Sequence, residues 1–198
     1  LYTGIYKQFQ KKWLKMFKQS NKFLSIKSKK FINEIVLGKN FPYYPQYMHK
    51  YNMPGKKQTR FFMCHIVVKR PEDRVKGVFW NSNHYMSFIN IINEFCEQQK
   101  IKIDSFYRMC VNLSFNNGYE RSEIHRDHDF PHHQIIVILN NPQDKNAETV
   151  ILDNKNKIIK KIKPAQYQGI CFDGKSHYVK IPKFGHRVAL VATFKKNV

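Results

Sequence analysis

The sequence predicts a mainly β protein of the α+β kind, a sandwich or barrel of short strands with helices packed outside it. Three observations carry this reading. Seven short runs rich in β-branched and aromatic residues follow one another from Ser105 onward, separated by turn residues. An amphipathic helical pattern stands before them, and a strongly basic helical pattern opens the chain. The 198 residues are enough for one core of ordinary size plus an extension, and too few for two substantial cores.

Taken in order, the first element runs from about Gly4 to Leu37. Ile5, Phe9, Trp13 and Phe17, and later Phe23, Leu24, Phe31, Ile32, Ile35 and Val36, recur with lysines between them. The first group shares one helical face, so one or two basic amphipathic helices are expected, with their apolar stripe on the core. "GKNFPYYPQYMHKYNMPGKK" holds three prolines and reads as an irregular loop. Residues 1–60 thus form a basic extension, and residues 61–198 the domain that holds the core. "TRFFMCHIVVK" opens that domain as a strand. After turn signals at Asn81 to Asn83, "HYMSFINIINEFCEQQ" places Phe88, Ile91, Ile92 and Phe95 on one face, the pattern of a helix lying on a sheet. The strand-like runs follow: "FYRMCVNLSF", "HQIIVILN", "ETVILD", "KIIKKIK", "YQGICFD", "HYVKI" and "HRVALVATF".

Charge is the second large signal. Lys plus Arg outnumber Asp plus Glu by 35 to 14, and residues 1–60 hold 14 basic residues against a single acidic one, Glu34. Such a surface attracts polyanions through steering and counterion release, so DNA or RNA is an expected partner of the basic N-terminal region. Lys, Asn, Ile, Phe and Tyr are abundant together, the flavour of an AT-rich genome and compatible with a viral or phage origin. No apolar run is long enough for a transmembrane segment, and no secretory signal is seen at the start, which points to an intracellular protein. The four cysteines, Cys64, Cys96, Cys110 and Cys171, form no C-x-x-C pair and read as buried free thiols.

The chemistry gathers around "EIHRDHDFPHH". His125 and Asp127 are one residue apart, and in extended chain residues i and i+2 point to one side. A third ligand is available in His177, at the start of a later strand. Two histidines and one carboxylate make the facial triad that holds Fe(II) with coordination positions left open. Ten residues past His177, Arg187 shares a strand face with Ala189, Val191 and Thr193. A buried guanidinium is costly unless a carboxylate meets its planar fork. His128, His132 and His133 are expected in or beside a loop at the mouth rather than on the iron, and Arg126 and Asp129 on the rim.

Over about residues 105–196 these pieces, in this order, resemble the Fe(II)/2-oxoglutarate-dependent dioxygenases, in particular the prolyl 4-hydroxylase-like group. "FNNGYERSEIHRD" resembles the strand, glycine turn and H-x-D segment, and "IIVILNNP" the next core strand. "AETVILD" resembles the strand opened by an E-T pair, "IKPAQYQGICFDGKSH" the strand running to the distal histidine, and "PKFGHRVALVATF" the closing strand. The resemblance implies a double-stranded β-helix (jelly-roll) core, with Fe(II) on His125, Asp127 and His177. It also implies Arg187 on the distal carboxylate of 2-oxoglutarate, which O2 converts to succinate and carbon dioxide as the substrate is hydroxylated. The family's tyrosine three residues before the turn glycine is replaced by Phe115, so Tyr107, Tyr119 or Thr193 is expected to supply a cosubstrate-binding hydroxyl. The leading expectation is hydroxylation or oxidative demethylation of a nucleic-acid base. A protein prolyl or lysyl hydroxylase is the alternative, and a noncatalytic component of a viral or nucleic-acid assembly a third.

Overall fold

A computed structural model describes residues 17–47, 61–75 and 77–197, with the side chains of Tyr47 and Phe61 left aside. The part of the expected Gly4 to Leu37 helical region that precedes Phe17 lies outside the described residues. Ten strands and two α-helices are described. They are β1 (Lys18–Ser20), α1 (Ile26–Phe31), β2 (Tyr44–Tyr47), β3 (Phe61–Val68), α2 (Tyr85–Gln99), β4 (Ile103–Phe115), β5 (His133–Ile138), β6 (Thr149–Leu152), β7 (Ile158–Ile162), β8 (Gly169–Asp173), β9 (His177–Val179) and β10 (His186–Lys196). All seven predicted runs after Ser105 are strands, and the predicted helix before them is α2.

The strands form a seven-stranded sheet in the order β1-β8-β5-β10-β4-β3-β2 and a three-stranded sheet in the order β7-β6-β9. Every pairing within them is antiparallel. Alternation along the central strands separates two apolar layers. On one side of the large sheet, Ile136, Ile138, Ile170, Phe172, Ala189 and Val191 meet Ile151 and Ile162 of the small sheet. On the other, Val137, Leu190, Ala192 and Phe194 meet Phe88, Ile91, Ile92 and Phe95 of α2. This arrangement of two facing sheets with helices outside matches the jelly-roll expectation.

The helix lies tightly on its sheet because the sheet offers no side chain at Gly169, where a Cβ would come 2.5 Å from the Phe95 ring. α2 ends at Lys100, in the left-handed conformation at φ 55°, where Ile101 N–H donates to Cys96 O at 2.8 Å.

The segment before residue 48 departs from the sequence reading in two ways. Lys18–Ser20 is a strand on the edge of β8, not helix, and only Ile26–Phe31 is α-helical before a wider turn over Ile32–Val36. Tyr44–Tyr47, expected as loop, adds to the opposite edge of the sheet along β3. Leu24, Ile32, Val36 and Phe41 are buried in the same core as α2. No described helix is long and apolar enough to cross a membrane, and all four cysteines are free and buried.

A polar clasp holds α1 against α2. Ser25 caps α1 by accepting from Ser28 N–H at 3.1 Å. Glu94 of α2 accepts from Ser25 N–H at 2.8 Å, from Ser25 Oγ at 2.6 Å and from Ser28 Oγ at 2.8 Å. Substitution Glu94→Ala is expected to destabilise the fold by about 1–2 kcal/mol, since three hydrogen bonds to one carboxylate are lost in a partly exposed place. Chemical denaturation checks this, and an unchanged midpoint would mean that apolar contacts alone seat α1.

Candidate metal centre

Two backbone hydrogen bonds create the site. His125 N–H donates to His177 O at 3.0 Å, and His177 N–H donates to His125 O at 3.0 Å. This antiparallel bridge joins the chain after β4 to the start of β9 and sets the two imidazoles side by side, with ring centroids 4.4 Å apart. Asp127, two residues on, points to the same side, and its Oδ2 lies 3.7 Å from His177 Nε2. One ligand atom from each of His125, Asp127 and His177 lies within 4.8 Å of the others, the one such cluster among the described residues.

The hydrogen bonds around the cluster leave its lone pairs facing inward. His125 Nδ1 is 2.9 Å from Glu123 O, and His177 Nδ1 is 3.0 Å from Lys175 O. A carbonyl only accepts, so each Nδ1 carries the proton and each Nε2 is left as a donor atom for a metal. Asp127 Oδ2 is buried and has no hydrogen-bond partner. Burial, reinforced by the neighbouring His125, lowers the pKa of His177 to about 4, so the ring is neutral at neutral pH. Burial works against ionisation of Asp127, but His177, Arg108, His125 and Arg70 together hold its carboxyl below the ordinary range. Two imidazoles held by their Nδ1 atoms and a carboxylate with an orphaned oxygen fit a divalent cation.

A second orphan stands on β10. Arg187 is 3% exposed, its Nη2 donates to Thr149 Oγ1 at 3.0 Å, and its Nε has no partner. Desolvation alone lowers its pKa, to about 10, with no opposing carboxylate contributing. A buried guanidinium so poorly compensated fits a carboxylate brought by a small molecule. Thr149 sits in the E-T pair of the sequence, but its bond to Arg187 depends on how the small sheet lies over the large one.

The remaining predicted residues divide. Thr193 lies six residues along β10 from Arg187, about 20 Å in extended chain, and its Oγ1 is 2.8 Å from His128 Nε2 instead. Tyr107 stands at that same end of the sheet, packed edge-on to Phe130 and His128 with centroids 4.8 and 5.6 Å away. Tyr119 lies in the loop after β4, its N–H donating to Asn117 Oδ1 at 3.3 Å. The Thr193 hydroxyl is thus turned to His128 rather than to Arg187. His128 and His132 are outside the ligand cluster, and both are buried. Their rings pack on Phe130 and on each other, and the His132 ring fills the space that a Cβ at Gly174 would need.

Sequence reasoning missed two arginines that hold Asp127. Arg70 Nη1 donates to Asp127 O at 2.7 Å, and Arg108 Nη1 lies 3.5 Å from Asp127 Oδ1. It also missed Gln134, whose Nε2 is 3.5 Å from His177 Nε2. Arg108 lies in "FYRMCVNLSF", where the alternation of β4 signals an inward side chain. Nothing in the sequence says that Asp127 waits there.

With this geometry in hand, comparison with solved structures is informative. A prolyl hydroxylase from Trichoplax adhaerens, solved with a hypoxia inducible factor peptide fragment, superposes with a TM-score of 0.63 at 14% identity, covering 91% of this chain and 83% of that one. A prolyl-4-hydroxylase from Pseudomonas putida gives 0.57 at 11% identity, over 90% and 92% of the two chains. A 2OG-Fe(II) oxygenase family protein from Burkholderia pseudomallei gives 0.54 at 14%, over 68% of each. The fold is that of the 2-oxoglutarate and Fe(II) oxygenases. No family model matches the sequence, and no curated protein matches it. Within this oxygenase fold, His125, Asp127 and His177 come together between the two sheets, and Arg187 lies on the sheet strand that pairs with both β4 and β5.

If Thr149 braces Arg187, substitution Thr149→Val, which keeps the shape and removes the hydroxyl, should cost about 1–3 kcal/mol of stability. The change is read as a lower denaturation midpoint. A midpoint equal to that of the unsubstituted protein would remove Thr149 from this role.

Proposed function

We propose that the protein is an Fe(II)- and 2-oxoglutarate-dependent dioxygenase that hydroxylates a C–H bond of a macromolecular substrate. The observation that carries this reading is the pair of orphans inside one barrel: a carboxylate oxygen with no partner beside two unprotonated imidazole nitrogens, and a buried guanidinium with no anion. In this reading His125, Asp127 and His177 hold the iron, which with 2-oxoglutarate and O2 supplies the oxidising chemistry. Arg187 neutralises the distal carboxylate of 2-oxoglutarate, and Thr149 orients the guanidinium by accepting a hydrogen bond from Nη2. Glu123 O and Lys175 O keep both imidazoles in the tautomer that presents Nε2 inward. The apolar residues of the two facing sheets keep water from competing for Arg187.

For the substrate, the peptide held by the Trichoplax adhaerens neighbour favours a polypeptide side chain. The formal net charge of +21 favours a peptide with acidic flanks. A nucleic-acid base is the second reading. It is supported by the same charge and by the ring of Phe130, 38% exposed beside Tyr107 and His128, on which a base could stack.

Succinate release from 2-oxoglutarate in the presence of Fe(II) and a pool of acidic peptides or of DNA and RNA oligonucleotides tests the class. Mass spectrometry of the pool shows which reading holds. Substitution Asp127→Ala is expected to abolish turnover, and full activity in that variant would sink the iron assignment. Substitution Arg187→Gln is expected to raise the KM for 2-oxoglutarate about 100-fold, the equivalent of about 3 kcal/mol for one partner of a buried charge pair.

A further inference from the structure

We propose that Arg108 is a positioning residue: by engaging Oδ1 of Asp127 it leaves that carboxylate a single oxygen, Oδ2, to offer to a metal. The inference rests on the metal-centre reading above and adds to it the number of oxygens that Asp127 contributes.

The two carboxylate oxygens have different surroundings. Oδ1 lies 3.5 Å from Arg108 Nη1, whereas Oδ2 faces His177 Nε2 at 3.7 Å and has no hydrogen-bond partner. Rotation that would bring both oxygens to the ligand side is opposed at two points. Arg70 holds the backbone of the same residue by donating to Asp127 O at 2.7 Å, and the Arg108 guanidinium attracts the side chain across a 3.5 Å ion pair. Arg108 itself is confined, with a side chain 14% exposed on the inner face of β4, next to the thiols of Cys64 and Cys110. Water therefore competes poorly for its charge.

Charge decides what such a residue accomplishes. A guanidinium beside a carboxylate that also binds a divalent cation repels that cation, so Arg108 does not serve tight metal binding as such. What it does provide is a fixed orientation. A carboxylate held to one oxygen occupies one coordination position, and one free to turn occupies two. In a site built on three protein ligands, that difference removes a position needed by a chelating small molecule.

The experiment uses Co(II) as the metal, with the full chain and no turnover. Co(II) affinity, the visible absorption of the Co(II) protein, and the affinity of that protein for 2-oxoglutarate are measured for the unsubstituted protein and for Arg108→Met, Arg108→Lys and Asp127→Ala. Arg108→Met is expected to bind Co(II) at least as tightly, to show a changed absorption spectrum, and to bind 2-oxoglutarate about tenfold more weakly. Arg108→Lys, which retains a cationic donor, should restore the spectrum and the 2-oxoglutarate affinity. An Arg108→Met protein with unchanged spectrum and unchanged 2-oxoglutarate affinity overturns the proposal, as does one that no longer binds Co(II). If Arg108→Met does not fold, Arg108→Gln, too short to reach Oδ1, carries the same test. Asp127→Ala separates the two levels: if it binds Co(II) like the unsubstituted protein, the metal-centre reading fails, not the role of Arg108 alone.

Discussion

The pair of backbone hydrogen bonds between His125 and His177 is the constraint on which the site depends. Side chains that are 52 positions apart in the chain become neighbours because their peptide groups pair, and an imidazole has few other ways to reach a fixed place. The pairing is short, a single bridge at the first residue of β9, so it relies on what surrounds it. Leu152 N–H donates to Ser176 O at 2.9 Å, Ser122 N–H donates to Val179 O at 2.8 Å, and Arg126 Nε donates to Gly174 O at 2.8 Å. Each of these ties one flank of the bridge to the small sheet or to the loop after β8. The candidate metal site is thus positioned by main chain, and its side chains have little conformational freedom left to lose.

Placing Arg187 and Asp127 inside a β-structure runs against the general expense of buried charge. The two residues meet it differently. Asp127 has local compensation from Arg70 and Arg108, and its remaining oxygen is orphaned. Arg187 has a hydrogen bond to Thr149 and is otherwise held in a desolvated place, and that burial is why its proton is held less firmly than in water. Each leaves one buried polar atom without a hydrogen-bond partner, and any ligand that met these atoms would stabilise the fold as it bound.

Much of this was legible in the sequence. The i, i+2 spacing of His125 and Asp127 carries its own geometry, since extended chain turns alternate residues to one side. Arg187 was legible because a cation among Ala189, Leu190 and Val191 has to answer for its burial. Arg108, Arg70 and Thr149 were not, because each meets its partner only through the sheet register and the packing of one sheet on the other. Edge strands were missed for a related reason. Lys18–Ser20 and Tyr44–Tyr47 show no clean alternation, because an edge strand is selected for the backbone groups it pairs and less for its side chains. The burial of His128 and His132 was equally out of reach, since it follows from the aromatic packing of Tyr107 and Phe130 around them.

Those two short edge strands carry a consequence for how the protein is cut. β1 covers the outer margin of β8, and β2 covers the outer margin of β3. A fragment beginning at Phe61 would keep all the residues of the metal centre and lose both covers. It would then present two bare rows of amide and carbonyl groups, at opposite ends of one seven-stranded sheet, to any extended chain in solution. Lys18–Ser20 and Tyr44–Tyr47 are in this sense the selvedge of the sheet, and a fragment trimmed of both would be expected to self-associate more readily than the longer chain.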